Sequence, residues 1–277
     1  MNAGAVARDG QVGARRAATG SAREGAARAG LTARGVIYAL VGVLALRIAF
    51  GGSGHQADRG GALQEIASKP FGAVLLWALG IGVVGMALWR LSEAVFGSAG
   101  EDGGKPVKRL MAAGRCVFYG FVAYSVLSFA AGSRGSGAGD EQSRDVTAEA
   151  LGIPGGQWIV GAVGLGLVAA GVWIAARAVM RKYHKHLKLG EMSRRVRQAV
   201  DVAGVGGGTA RGVVFAAAGV FAVRAAVEYE PDKAKGMDDT LRSFAGTPMG
   251  PWLLALIAVG LILFGLFSFA MARWRKV

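Results

Sequence analysis

The sequence predicts an all-α fold: a polytopic membrane helical bundle of six transmembrane helices, arranged as three repeated hairpins with short amphipathic connectors. Three observations predict it: long apolar runs, a motif that occurs three times, and a one-sided distribution of basic residues. Of the 277 residues, 53% are hydrophobic and only 18% are charged. A soluble domain is roughly 45–50% apolar and about 25% charged. A run of about 20 apolar residues matches a hydrocarbon core roughly 30 Å thick. Lipid offers backbone groups no hydrogen-bond partner, so the runs must be helical.

The apolar stretches are 35–50, 72–96, 110–131, 157–180, 212–227 and 250–271. The first and fifth are short and extend only through Arg34 and Arg211, whose long stems can snorkel to an interface. Trp89, Trp158, Trp173 and Trp252 fall near helix ends and predict an aromatic belt, with Trp77 deeper and packed. The organisation that follows is a disordered basic tail over 1–28, unit 1 over 29–97, a cytoplasmic linker over 98–109, unit 2 over 110–180, a basic cytoplasmic loop over 181–208 and unit 3 over 209–277. The tail has no apolar core of the kind a secretory signal needs.

The units begin alike: Arg34-Gly35-Val36-Ile37-Tyr38, Arg115-Cys116-Val117-Phe118-Tyr119 and Arg211-Gly212-Val213-Val214-Phe215. Thirteen residues on lie Arg47 and Arg224, with Ser128 in the middle unit. Pro70, Pro154 and Pro248 follow the opening arginines by 36, 39 and 37 residues, and Trp89, Trp173 and Phe267 lie nineteen beyond each proline. Leu63/Ile66 and Leu241/Phe244 share a helical face, which predicts an amphipathic surface helix before each proline. The proline then starts the next transmembrane helix, where its missing N–H costs nothing. Two helices per unit make the repeats parallel in the membrane.

This pattern, Arg-Gly-Val-x-Tyr/Phe with Pro-Phe/Met-Gly opening the second helix, resembles the bacterial, mainly actinobacterial, six-helix membrane proteins of the domain of unknown function 1206 family. The resemblance covers residues 29–276. It implies the architecture and brings no reaction or substrate. Unit 2 departs from it with Cys116 for the glycine, Ser128 for the second arginine and Gly155-Gly156 for Phe-Gly.

The net charge is +14, and 23 of the 32 Lys and Arg fall on the side of the two termini and the 98–115 and 177–211 segments. Basic residues mark the cytoplasmic side. The expectation is a bacterial plasma-membrane protein with both termini cytoplasmic and a basic inner face against anionic lipid headgroups, without nucleic acid. The 181–208 loop reads equally as a surface helix on headgroups or as a solvated segment.

Several motifs are weak. Gly80-Ile81-Gly82-Val83-Val84-Gly85 matches a dinucleotide fingerprint literally, but it lies within an apolar run with no strand before it. Close helix packing explains it better, as it does Ala162, Gly166 and Ala170. Gly204–Gly208 lacks the Gly-Lys-Ser/Thr of a phosphate loop and reads as a linker or tight helix start. His184 and His186 lack the spacing and carboxylates of a metal site, and His55 reads as solvated. Cys116, the sole cysteine, excludes an intramolecular disulfide. No catalytic set, cofactor or metal is expected.

The candidate functional residues are the ionisable groups in membrane segments: Arg34, Arg115, Arg211, Arg90, Glu93, Arg47 and Arg224. They would contact lipid phosphate or pair between helices, and Arg90 and Glu93, three apart, suit an ion pair. The leading functional expectation is a non-enzymatic structural or interaction module of the envelope, with a membrane-protein partner. A permease with its path between the hairpins, and a lipid-handling protein using the arginines, are the alternatives. A tightly packed bundle favours the first, a water-filled cavity reaching mid-membrane and lined by Ser125, Ser128 or arginine head groups the second, and a lateral opening to lipid beside Arg34, Arg115 and Arg211 the third.

Overall fold

Each apolar run becomes a helix, because only internal hydrogen bonding satisfies a backbone in lipid. The computed structural model describes residues 3–51, 56–97, 106–132, 139–246 and 249–276, with side chains from residue 24 on and, in the fourth stretch, from residue 143. Among the described residues the helices are α1 (Ala3–Ala49), α2 (Arg59–Ala67), α3 (Gly72–Phe96), α4 (Pro106–Ala130), α5 (Gly139–Gly152), α6 (Gly156–Val179), α7 (Arg194–Glu228), α8 (Met237–Ala245) and α9 (Gly250–Trp274). Six segments are long and apolar enough to cross a membrane: residues 24–49 of α1, and α3, α4, α6, α7 and α9. The chain is a multi-pass membrane protein of all-α class, built as helix–connector–helix three times.

The units interlock cyclically. The first helix of each unit packs on the second helix of the preceding one: α4 on α3, α7 on α6, and α1 on α9. Glycine permits these contacts. A Cβ on Gly212 would lie 2.6 Å from the Gly171 carbonyl, and one on Gly265 would lie 2.8 Å from the Gly35 carbonyl. Within units 1 and 3 the two helices also pack together, α1 on α3 and α7 on α9. In unit 2 the two helices face outward to their neighbours, and α4 and α6 leave a gap. The bundle is therefore a ring, α6–α7–α9–α1–α3–α4, open between its ends.

The connectors α2, α5 and α8 cap one end. Asp58 caps α2 by accepting from Gly61 N at 2.8 Å. Asp238 of α8 accepts from Ala57 N at 2.7 Å, which ties the connectors of units 1 and 3 together. After each connector the chain turns sharply. Phe71 (φ 64°) and Gly155 (φ 78°) are left-handed, so glycine in unit 2 relieves the strain that Phe71 carries. The glycine that follows, Gly72, Gly156 or Gly250, abuts a connector carbonyl within 1.7–2.4 Å of where a Cβ would stand. Pro70 and Pro154 sit in this turn, two residues before their helices rather than at the first helical position. Pro248 and His55 lie outside the described residues.

The termini of the units differ from expectation. Of the segment read as an unstructured tail, 1–28, the described residues 3–28 belong to α1, and their Ala-rich composition suits a helix. Ala27 is fully buried, and Gly82 and Gly85 bring α3 against the Ala29 and Ala26 carbonyls. Those two glycines of the nucleotide-like motif are thus helix-packing residues. The basic 181–208 segment is not a loose loop, and from Arg194 on it is helix. Residues 182–186 and 189–191 form short 3-10 turns, and α7 starts at Arg194. The segment is strapped to the C-terminus, with Lys188 N donating to Trp274 O and Lys276 N donating to His186 O, both at 2.9 Å. Gly204–Gly208 lies within α7, where a Cβ on Gly207 would stand 2.3 Å from Phe264 N. The Ala162, Gly166, Ala170 face points outward, while Gly164 and Gly171 make the contact to α7. Trp158, Trp173 and Trp252 are exposed as a belt requires, but Trp89 is buried and Trp77 is exposed, the reverse of the expectation for those two.

Candidate functional site: an arginine-lined cavity inside the ring

Arg34 and Arg211 do not snorkel to the surface. Both turn toward the ring interior and flank Phe264, their guanidinium carbons 5.1 and 5.0 Å from its ring centroid. Phe264 is the fifteenth of the 25 residues of α9, about 15 Å along the helix from Trp274. Arg34 Nε donates to Ser268 Oγ at 3.1 Å, and that hydroxyl donates on to the Phe264 carbonyl at 2.8 Å. The Tyr119 phenol lies within electrostatic reach of Arg34. Arg211 Nε donates to the Tyr38 hydroxyl at 3.0 Å. Tyr38 packs edge-on to Phe264 with centroids 4.7 Å apart.

Of these side chains, Arg34, Arg211, Tyr38 and Tyr119 line a cavity of about 210 Å³ between α1, α3, α4 and α7. It extends from Gly30 and Met86 to Met237 and Arg59 under the connectors. Three arginines and two tyrosines line it, and its lining includes no Asp or Glu. Burial pushes the Arg59 guanidinium below its ordinary range, opposed by Asp58 beside it. A buried cation normally has a carboxylate partner, because desolvating an unpaired charge is costly. Here Arg34 and Arg211 have phenol and hydroxyl oxygens instead. The wall is otherwise apolar, with Val41, Val83, Met86 and Val122. Such a cavity suits an anion attached to a hydrophobic body.

The repeat explains the geometry. In each opening motif an aromatic follows the arginine by four residues, and Tyr38, Tyr119 and Phe215 all line the cavity. Four residues is one helical turn, so arginine and aromatic share a face. The contacts run from unit 1 to unit 2 (Arg34 beside Tyr119) and from unit 3 to unit 1 (Arg211 Nε donating to Tyr38). The third contact of the cycle would set Arg115 beside Phe215, which has no hydroxyl. Arg115 is exposed and does not line the cavity.

The model for the Domain of Unknown Function (DUF1206) matches the chain three times, at residues 29–97, 110–181 and 206–275. The chain belongs to this family. It is similar to the "Uncharacterized protein YxxB" of Bacillus subtilis (strain 168), 30% identical over 243 residues that cover 87% of each chain. No solved structure matches. The three DUF1206 matches coincide with the three helix–connector–helix units, and the third begins inside α7.

The remaining candidates occupy the two ends of these DUF1206 units. Arg90 and Glu93 pair as their spacing predicts, Nη1 to Oε2 at 2.6 Å, and both are buried. Trp89 lies between two guanidinium groups, Arg90 at 4.2 Å and Arg275 at 4.6 Å from its ring centroid. Burial, then Arg90, pushes the Arg275 guanidinium well below its ordinary range. His186 is also pushed down, by burial first and then by Arg275 and Arg177. Arg115 lies within electrostatic reach of Arg90, Glu93 and Arg177. At the connector end, Arg47 Nη1 is 3.7 Å from Glu65, and Arg224 pairs with Glu228 at 3.1 Å. Arg47 and Arg224 are exposed there and line neither cavity nor core.

Sequence reasoning missed Arg59, Ser268 and the two tyrosines as site residues. The tyrosines carry a signal, the four-residue spacing from each arginine. Arg59 and Ser268 carry none, because only the closed ring brings α2 to the cavity and sets Ser268 of α9 against Arg34.

Proposed function

We propose that this chain binds an anionic lipid headgroup within the bilayer and handles it without covalent chemistry. The observation that carries the reading is the Arg34–Arg211 pair, turned into an apolar cavity that brings no carboxylate. An anion there neutralises two cations at once in a medium of low dielectric. The gap between α4 and α6 supports lateral access from lipid, which a packed structural module does not need. A packed inner end, where Trp89 sits between Arg90 and Arg275, argues against an open aqueous path and so against a permease. The setting we propose is the bacterial plasma membrane, with both termini and the Arg90–Arg275 end facing the cytoplasm, which the distribution of basic residues supports.

Native mass spectrometry of the full chain, extracted in mild detergent, tests the reading. An anionic lipid should remain bound to the native protein and be lost from the Arg34→Gln/Arg211→Gln double variant. Equal retention by both would refute it, and anion flux in protein-containing vesicles would replace it with transport. Protection of a C-terminal tag in intact spheroplasts tests the orientation, and protease access there would reverse it.

A further inference from the structure

A second, larger cavity of about 720 Å³ lies in the opening of the ring, between α4, α5, α6 and α7. It falls within the usual range of ligand pockets, about 300–1,000 Å³. Its walls include Phe121, Val163, Leu167, Phe215 and Ala222, with Thr147 of α5 above. Phe215 and Met237 line both this cavity and the arginine cavity, so the two adjoin at those side chains. On α7 the lining runs from Val214 to Ala222, about 12 Å of helix beginning one turn beyond Arg211. Among the described residues the one cation in this wall, Lys235, is engaged elsewhere: its ammonium donates to Ser243 Oγ at 2.6 Å and sits 4.3 Å from the Phe221 ring centroid.

We infer that this cavity holds the hydrocarbon chain of the anion bound at Arg34 and Arg211, so that the ligand is a lipid, admitted sideways through the gap between α4 and α6. The inference rests on the reading of the arginine cavity as an anion site. Charge fixes the polarity of the ligand. The headgroup lies at the Arg211 end, and the chain runs along α6 and α7 toward the connectors. That is the orientation of a lipid from the leaflet at the Arg90–Arg275 end, lifted toward mid-membrane. Unit 2 makes the site possible, because only its two helices stand apart. The connector α5 spans that opening and roofs the chain.

The experiment uses the full chain in nanodiscs with a phosphatidic acid probe that carries a photoactivatable group near the end of its acyl chain. The expected adducts fall on residues 143–167 and 214–222, and inorganic phosphate alone competes at least tenfold more weakly than the lipid. Val163→Trp should weaken probe binding tenfold or more. Ala222→Phe is the second filling variant, read where Val163→Trp is not monodisperse. Adducts only on the outer faces of α4 and α6, or filling variants that bind within twofold of native while the Arg34→Gln/Arg211→Gln variant loses binding, would overturn the chain site and leave the anion site standing. Phosphate competing as well as lipid would make the ligand a free anion and also end the inference. Undiminished binding by the double arginine variant would end the anion site itself, and the inference with it.

Discussion

Replacing Arg211 with methionine should stabilise the empty protein and weaken ligand binding at the same time. The two guanidinium carbons lie 5.1 and 5.0 Å from one ring centroid, so they cannot be more than about 10 Å apart. At an effective dielectric near 20, their repulsion is at least ~1.7 kcal/mol. Methionine removes that repulsion and the desolvation of one cation. It gives up the hydrogen bond to Tyr38, worth about 1 kcal/mol net, and the cation–π contact with Phe264, worth about 0.5–2 kcal/mol, against a desolvation cost of several kcal/mol that it also removes. The balance favours the variant by about 1 kcal/mol or more, in line with the general finding that apolar replacements of buried charges are often neutral or stabilising. For the bound state the sign reverses. An anion about 5 Å from each guanidinium gains about 3 kcal/mol from Arg211 at the same dielectric, roughly a hundredfold in affinity. The assay is thermal unfolding of delipidated and lipid-loaded protein in one detergent, native against Arg211→Met, at one scan rate. Delipidated variant should unfold later than delipidated native protein, and the gain on adding lipid should shrink. A variant that unfolds earlier when empty and keeps the full lipid gain would show that Arg211 is a structural donor to Tyr38 and that the cavity is not an anion site.

Glu93→Gln should destabilise by about 3–5 kcal/mol, since it leaves Arg90 buried without its carboxylate, and the Arg90→Met/Glu93→Leu pair should recover most of the loss; denaturation in detergent decides, and equal losses would deny the pairing its role. Gly171→Ala should cost about 1–3 kcal/mol, because its Cβ would stand 2.5 Å from Ala216 N, whereas Gly166→Ala, with nothing within 4 Å, should gain up to about 1 kcal/mol from helix propensity. The same thermal shift measures both. His186 carries a depressed folded-state value, so between that value and 6.5 the unfolded chain holds more protons and stability falls as pH falls below 6.5. The His186→Gln variant should lose less between pH 7.5 and pH 5, and an unchanged slope would remove His186 from the acid response.

The architecture was legible because it rests on local quantities: run length, the opening motif and proline spacing. Helix starts were less so. Apolar content ends at Gly35 and Gly212, while α1 is already packed at Ala26 and α7 starts at Arg194. In these segments alanine and glycine carry the helix and its contacts, and neither residue registers as strongly apolar. The direction of the arginines was illegible for a different reason. Snorkelling and inward burial place the same residue on the same helix, and only the neighbours distinguish them. Phe264 and Ser268 of unit 3 receive Arg34 of unit 1, more than two hundred residues away.

Unit 2 shows why the departures from the repeat belong together. Phe215 offers no hydroxyl, so an inward Arg115 would lack the acceptor that Tyr38 provides to Arg211 and the phenol that Tyr119 sets beside Arg34. Released from the centre, α4 has no need of glycine at that level: Gly114 and Gly120 meet nothing within 4 Å, and Cys116 stands where Gly35 and Gly212 touch neighbouring helices. Without an inward Arg115, the third cation of a symmetric ring is missing, and its carboxylate-free centre holds two charges from the opening motifs rather than three. A symmetric ring would also close α4 on α6, sealing the cavity and removing the larger apolar one. The asymmetry therefore lowers the charge at the centre and opens the wall beside it. Both changes follow from the same few positions, and the opened wall is what entry of an amphiphilic anion would require.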